Sequence, residues 1–297
     1  MVVKKIVSHL PPRHLDDFLA ISILKYLYPD ATIEYIYPQN VPSEYLNDSG
    51  IILIDVGNSY DPNLNNFDHH QDLNINSSII LVLKKFFPEI NINNSALHAI
   101  DIIDRFGFPR AESEGLVKKD SLLVKRIKTI LRIEPNEEIG RIILNLLSQD
   151  LDYSKFVERL YEELMAKGLT QKAQEEIEEE EKIYEEKLKN IEYLNLDYKG
   201  KTLKITISNQ SLSTFHSRFF EEKEDIDILI ERNSMNEENT SIIVNSNSKN
   251  MQVAMDFADD VLAKNFTLIF RHKTGSIRVI SEDIQIFKNY IRNNFKL

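Results

Sequence analysis

The side chains able to do chemistry gather in a few short stretches. Ser8-His9 is followed by His14-Leu15-Asp16-Asp17, and Asp55 by Asp68-His69-His70-Gln71; Asp101 and Asp104 come later. Four of the seven histidines of the chain lie in the first two His-bearing clusters, a grouping that solubility does not explain. Imidazoles with carboxylates suit Mn, Zn or Fe better than Mg or Ca alone. One ion needs only about three or four ligands. Two ions sharing a carboxylate need about six or seven, which His9, His14, Asp16, Asp55, Asp68, His69, His70, Asp101 and Asp104 can supply. Such a pair, about 3.5–4 Å apart, suits in-line displacement at phosphorus. Taken singly, each residue has a plainer use: Asp after a strand is often a turn former, and adjacent histidines often face solvent.

The elements that must position these groups are legible from apolar spacing. Ile51–Leu53 reads as a strand buried on both faces, with Asp55 at its end. Gly57-Asn58-Ser59 and Asp61-Pro62-Asn63 then break regular structure. Val2 to Val7 reads as a first strand, followed by a stiff Pro11-Pro12 loop and a helix with Phe18, Leu19, Ile21, Leu24 and Leu27 on its apolar side. Asp16 or Asp17 falls near its N-cap. Thr32 to Tyr37 is a further strand, Ser77-Ser78 caps a helix to Phe87, and Asn93-Asn94-Ser95 starts the helix that carries Asp101 and Asp104. Strands alternating with helices predict a parallel α/β sheet, whose carboxyl edge is where ligands bind.

Residues 121–190 read as helical, with a glutamate run from Glu175 to Glu181 that reads as a solvated helix carrying Glu–Lys pairs. After Asn190 the period changes to a hairpin around Lys199-Gly200-Lys201 and further strands and helices, a smaller α/β domain. The expected organisation is residues 1–150 as the metal-binding catalytic domain, 151–190 as a connecting helix, and 191–297 as a substrate- or partner-binding domain.

The chain has 297 residues, a formal charge of −11, and neither cysteine nor tryptophan. Disulfides and cysteine nucleophiles are excluded, and a cytoplasmic setting is expected. No apolar run reaches the length of a membrane span. The acidic balance argues against a broad non-specific grip on nucleic acid, unless bound cations supply the positive charge.

The order and type of the motifs resemble the DHH phosphoesterase superfamily over about residues 3–107, and within it the RecJ-like and Myg-type nucleases. The matching stretches are Ser8-His9 with His14-Leu15-Asp16-Asp17, Ile54-Asp55-Val56-Gly57 with Tyr60-Asp61-Pro62, Asp68 to Gln71, and Ile100-Asp101-Ile102-Ile103-Asp104. The resemblance implies that His9, His14 and Asp55 hold one ion. Asp16, Asp55, His69 and one of Asp101 or Asp104 would hold the other. It further implies that His70 faces the scissile phosphate and that Asp68 orients an imidazole. The implied ions are two divalent metals, Mn preferred, with Mg, Co or Zn as substitutes.

Three features depart from the family pattern. His14 stands where an aspartate is typical, the spacer Pro11-Pro12-Arg13 is unusual, and the second domain lacks a Gly-Gly-Gly-His motif, so that it resembles a degenerate DHHA1 domain. Arg218, Arg271, His272, Lys273 and Arg278 are the cations left to contact phosphate. The resemblance thus implies a Mn-dependent phosphodiesterase or exonuclease acting on single-stranded DNA or short RNA. Two alternatives stand beside it: an inactive RecJ-like subunit of an archaeal replicative helicase bound to a GINS-type partner, and a small-nucleotide phosphatase. An oligomer is compatible with each.

Overall fold

The computed structural model describes residues 2–118, 120–212, 215–232, 242–246, 251–271, 277–281 and 283–295. It divides into two compact units, Met1–Ile177 and Glu178–Leu297, each mixing strands and helices.

In the first unit β1 (Lys5–His9), β2 (Thr32–Ile36), β3 (Ile51–Ile54), β4 (Tyr60–Asp61) and β5 (Asn66–Phe67) form a sheet in the order β2-β1-β3-β5-β4. β1 runs parallel to β2 and β3, and β3 to β5; the outer strand β4, two residues long, is antiparallel to β5. The parallel α/β class expected from the sequence is therefore the one observed. Two boundaries differ. The first strand is shifted from Val2–Val7 to Lys5–His9, which makes His9 its last residue. The stretch after Asp55, expected to be irregular, contains β4 and β5, because fully buried Phe67 docks beside Ile54.

All four residues of β3 are buried, as a strand covered on both faces requires. Alternation assigns the faces: Ile52 and Ile54 join the main helical core, while Ile51 and Leu53 pack with Val7, Val56, Tyr45 and Leu46 on the other side. The main core is built from α1 (Leu15–Leu27), α2 (Ser78–Phe86), α3 (Ser95–Phe106), α4 (Phe108–Ser113), α5 (Ser121–Arg132), α6 (Glu137–Leu147) and α7 (Tyr153–Ala166). The side chains of Asn94, Asp120, Asn136 and Asp152 accept backbone N–H groups at the starts of α3, α5, α6 and α7, fixing where those helices begin. In α1 every residue from Leu15 to Leu24 is buried. α1 crosses α6 so closely that Gly140 lies directly against the Ser22 carbonyl.

Helix α8 (Gln171–Leu188) carries the glutamate run and spans the boundary between the units. Ala173, Ile177 and Tyr184 are buried along it while most of its glutamates face solvent. The second unit holds β6 (Ile191–Tyr198), β7 (Lys201–Ser208), α9 (His216–Glu222), β8 (Ile228–Arg232), β9 (Ile242–Ser246), α10 (Met251–Phe257), a π-helical turn (Ala258–Leu262), α11 (Ala263–Asn265), β10 (Thr267–Arg271), β11 (Ile277–Ser281) and α12 (Ile284–Asn294). Its sheet runs β10-β11-β9-β8-β7-β6, with β7 and β8 parallel and the other described pairs antiparallel. Lys199 and Gly200, at φ 49° and 76°, make the tight β6–β7 turn. Among the described residues no helix is long and apolar enough to cross a membrane.

Candidate metal centre

Because β1, β3 and β5 run parallel, their carboxyl ends share one edge of the sheet. His9 ends β1, Asp55 follows β3, and Asp68-His69 follow β5. The chain leaves β1 toward β2 through α1, while β3 lies on the other side of β1, so this edge is a topological switch point. The start of α1 adds His14, Asp16 and Asp17; His14 occupies the N-cap position without a side-chain capping bond, which leaves its ring for other contacts. Asp16 and Asp17 lie in the first helical turn. The last turn of α3 adds Asp104.

The side chains converge on Asp55. One ligand atom each from His9, His14 and Asp55 lie within 4.8 Å of one another, as do those of Asp55, His69 and His70, and those of Asp16, Asp55, His69 and Asp104. His69 Nε2 is 3.1 Å from Asp55 Oδ1 and 2.9 Å from Asp104 Oδ2. His9 Nε2 is 3.0 Å from Asp17 Oδ2 and 3.5 Å from Asp55 Oδ2. His14 Nδ1 is 3.5 Å from Asp104 Oδ1. Asp55 itself has φ 59°, a left-handed conformation that Asp tolerates better than most residues. Its N–H donates to Phe67 O at 3.2 Å, and buried Ser78 donates to Phe67 O at 2.8 Å with its Oγ 3.4 Å from Asp55 Oδ1.

Burial and charge in this cluster call for cations. Asp16 is 1% exposed, and neither of its carboxylate oxygens has a hydrogen-bond partner. Asp104 Oδ2 and both ring nitrogens of His69 are likewise buried without a geometrically sound hydrogen bond. Burial, then the neighbouring Asp104 charge, push Asp16 well above the ordinary carboxylate range. Burial raises Asp17 too, against the pull of its bond to His9. Asp104 is held low: burial opposes its charge, but the close imidazoles of His14 and His69 win. The bond to Asp17 lifts His9 to about 9, against its burial. For His69 burial works downward, yet Asp104 and Asp55 carry it up to about 10. Protons thus hold together a set of oxygens and nitrogens whose types and spacing fit divalent metal.

His70 differs from its neighbour. Its side chain is 56% exposed, and Nδ1 donates to Asp68 Oδ1 at 2.8 Å, leaving Nε2 outward. Asp68 is fixed in turn by the Asn58 N–H at 2.6 Å and the His70 N–H at 3.0 Å. Those bonds keep Asp68 low despite its burial, and the bond to Asp68 raises His70.

Asp101 is not in the cluster. Its carboxylate accepts the Ser77 N–H at 2.7 Å and Asn76 Nδ2 at 3.2 Å and pairs with Arg105, so it ties α3 to the start of α2. Asp101→Asn is expected to cost about 1–3 kcal/mol in chemical denaturation while leaving metal affinity unchanged; loss of metal binding without loss of stability would contradict this placement. Arg218 is committed to Glu181 and Glu222, at 2.6 and 2.7 Å, and lies over the Tyr184 ring. That leaves its guanidinium neutralised rather than open to a phosphate. Arg271 and Arg278 are opposite one another across β10 and β11, but their side chains lie outside the described residues, as do His272 and Lys273 entirely. Sequence reasoning missed the pairing of Asp17 with His9, since an acid in a first helical turn reads as a capping group. It also missed the clasp of Asn58 on Asp68; the Gly57-Asn58 pair was its signal.

A family model, MYG1_exonuc, described as "Uncharacterised protein family (UPF0160)", matches residues 5–78, the segment that carries His9 through His70. No curated protein matches the chain. Among solved structures, the chain is similar to the pGpG-specific phosphodiesterase PggH of Vibrio cholerae, with 12% identity and a TM-score of 0.50 over 99% of this chain and 98% of that one. It also aligns with CDC45 from Entamoeba histolytica, at 11% identity over 97% and 94% of the two chains, but the TM-score of 0.35 carries no weight. The family match and the first of these structures are consistent with a DHH-type fold.

Proposed function

We propose that this chain is a metal-dependent phosphodiesterase or exonuclease that hydrolyses single-stranded DNA or short RNA. What supports the reading is one observation above the rest: three groups of potential ligands overlap on Asp55, and one of them contains the buried, unpartnered Asp16 carboxylate. In this reading His9, His14 and Asp55 hold one divalent ion, manganese by preference, and Asp16, Asp55, His69 and Asp104 hold a second. Bound ions would supply the positive charge that neutralises a phosphodiester and acidifies water beside it.

The remaining work falls to the chain. The Leu10 carbonyl, 2.8 Å from His9 Nδ1, fixes the His9 ring and leaves Nε2 for the ion. Asp68 holds His70 Nδ1, so that Nε2 faces the phosphate and gives its proton to the leaving oxygen. A second reading keeps the chemistry and shortens the substrate to a small nucleotide; the likeness in fold to the pGpG-specific phosphodiesterase PggH favours it.

Digestion of end-labelled DNA and RNA oligonucleotides and of a dinucleotide, with Mn, Mg and chelator side by side, tests both readings. Mn-dependent, chelator-sensitive cleavage is expected. No cleavage, together with no two-site manganese binding in calorimetry, would sink the hydrolase reading and leave a scaffold role with a replication partner of the GINS type.

Metal loading should also be visible in protons. An imidazole raised by folding contributes stability fully below its ordinary value of 6.5, and that contribution is lost as pH rises through about 9 for His9 and about 10 for His69. Raised Asp16 acts in the same direction. The metal-free protein is therefore expected to lose stability across this alkaline window. Manganese should expel these protons and flatten the slope. Denaturation across the window, and calorimetry in two buffers of different ionisation enthalpy, read both effects; a flat metal-free profile with no proton release would count against the cluster.

A further inference from the structure

Beside the metal centre opens a cavity of about 460 Å³, within the size range of small-molecule sites. His14, Asp16 and Asp104 form part of its lining, so whatever fills it adjoins the metals. The rest is largely apolar: Ile100, Ile103 and Phe108 from the α3–α4 side face Val124, Ile127 and Leu131 of α5. Three polar side chains interrupt this wall: Tyr153, Lys128 and Arg13, the last of them paired with Glu134. Tyr153, at the start of α7, is 3% exposed and lines the cavity. Lys128 is exposed and makes no ion pair among the described residues. A second cavity, of about 610 Å³, flanks the other side of the centre at Asp55, Asp68 and His70, and His14 alone lines both.

We infer that the apolar cavity is a base pocket: it receives the flat heteroaromatic ring of a nucleotide whose phosphate sits on the metal centre. The inference rests on the reading of that centre as a phosphodiester site and narrows its substrate to nucleotides, against pyrophosphate or bare sugar phosphates. An apolar sandwich suits both faces of a base, the Tyr153 hydroxyl can read an edge, and the Lys128 cation complements a phosphate at the rim. Selection by the pocket is sequence-tolerant, because every base has two apolar faces.

Calorimetry on the Mn-loaded full chain tests this without relying on turnover, with adenosine 5′-monophosphate, ribose 5-phosphate, adenosine and octyl phosphate as probes. Adenosine 5′-monophosphate is expected to bind about tenfold or more tighter than ribose 5-phosphate. Ile127→Trp fills the cavity and should bring that ratio close to one while leaving ribose 5-phosphate unchanged. Val124→Trp, on the same wall, repeats the test should the first variant fail to fold, as judged by circular dichroism. Equal affinities in the wild type, a ratio untouched by either variant, tighter binding of octyl phosphate, or binding of no probe would each overturn the pocket. Adenosine bound as tightly as its monophosphate and unaffected by chelator would keep the pocket but sink the phosphate reading of the centre.

Discussion

Asp55→Ala is expected to lower hydrolysis by about a thousandfold or more with the fold intact. Asp55 belongs to all three overlapping ligand groups, so its loss removes a donor from both proposed ions at once. Each factor of ten corresponds to about 1.4 kcal/mol of transition-state stabilisation, and a bridging carboxylate in a buried site readily accounts for several such factors. The left-handed φ of 59° adds a modest stability cost for alanine. Asp55→Asn separates the two effects, because asparagine tolerates that conformation while removing the charge. Both variants should retain a cooperative denaturation transition and lose two-site manganese binding. Near-normal cleavage by either, in the same oligonucleotide assay, would remove the metal-centred mechanism.

The second large effect lies away from the chemistry. Gly140→Ala places a Cβ 2.1 Å from Ser22 O and 2.8 Å from Tyr26 Cβ. The first of these obstacles is backbone of α1, so no rotamer change relieves it. Relief requires α1 and α6 to separate, and α1 is buried along almost its whole length. The expected cost is about 3 kcal/mol or more, at the severe end for a single added methyl group. Since α1 also delivers His14, Asp16 and Asp17, manganese affinity should fall with stability. Gly115→Ala is the control: its φ of 74° is strained for alanine, but nothing lies within 4 Å of the new Cβ. It should cost about 1 kcal/mol and leave metal binding alone. Equal denaturation midpoints for the two variants would refute the packing argument.

The fold class was readable because Ile51–Ile54 and the apolar spacing of α1 carry strong periodic signals. The two-residue strands β4 and β5 carry none; Asn66–Phe67 becomes a strand because Phe67 finds the core and Leu53–Ile54 offers a free edge. The residue types able to bind metal were equally readable, since acids and imidazoles at the ends of apolar runs stand out. Their choice among near neighbours was not. Asp101 and Asp104 share a helix and differ by three positions, yet Asp101 meets the Ser77 N–H and Arg105 while Asp104 meets His69. That outcome depends on where the Asn76-Ser77 turn lies, which no local pattern encodes. Arg218 stands out in the sequence by charge alone, and charge alone also draws Glu181 and Glu222 to it.

The brevity of β4 bears on how this protein behaves in crowded solution. A sheet border is an open row of amides and carbonyls, on which another molecule can template itself. Here the row beyond β5 is met by Tyr60–Asp61, too short and reversed in direction to continue the parallel ladder. Lys85 reaches over the turn to Asn65 and the Pro62 carbonyl, placing a cation at that margin. Self-templated growth from this side is blocked by termination and charge together, so a sheet rich in isoleucine need not seed aggregates there.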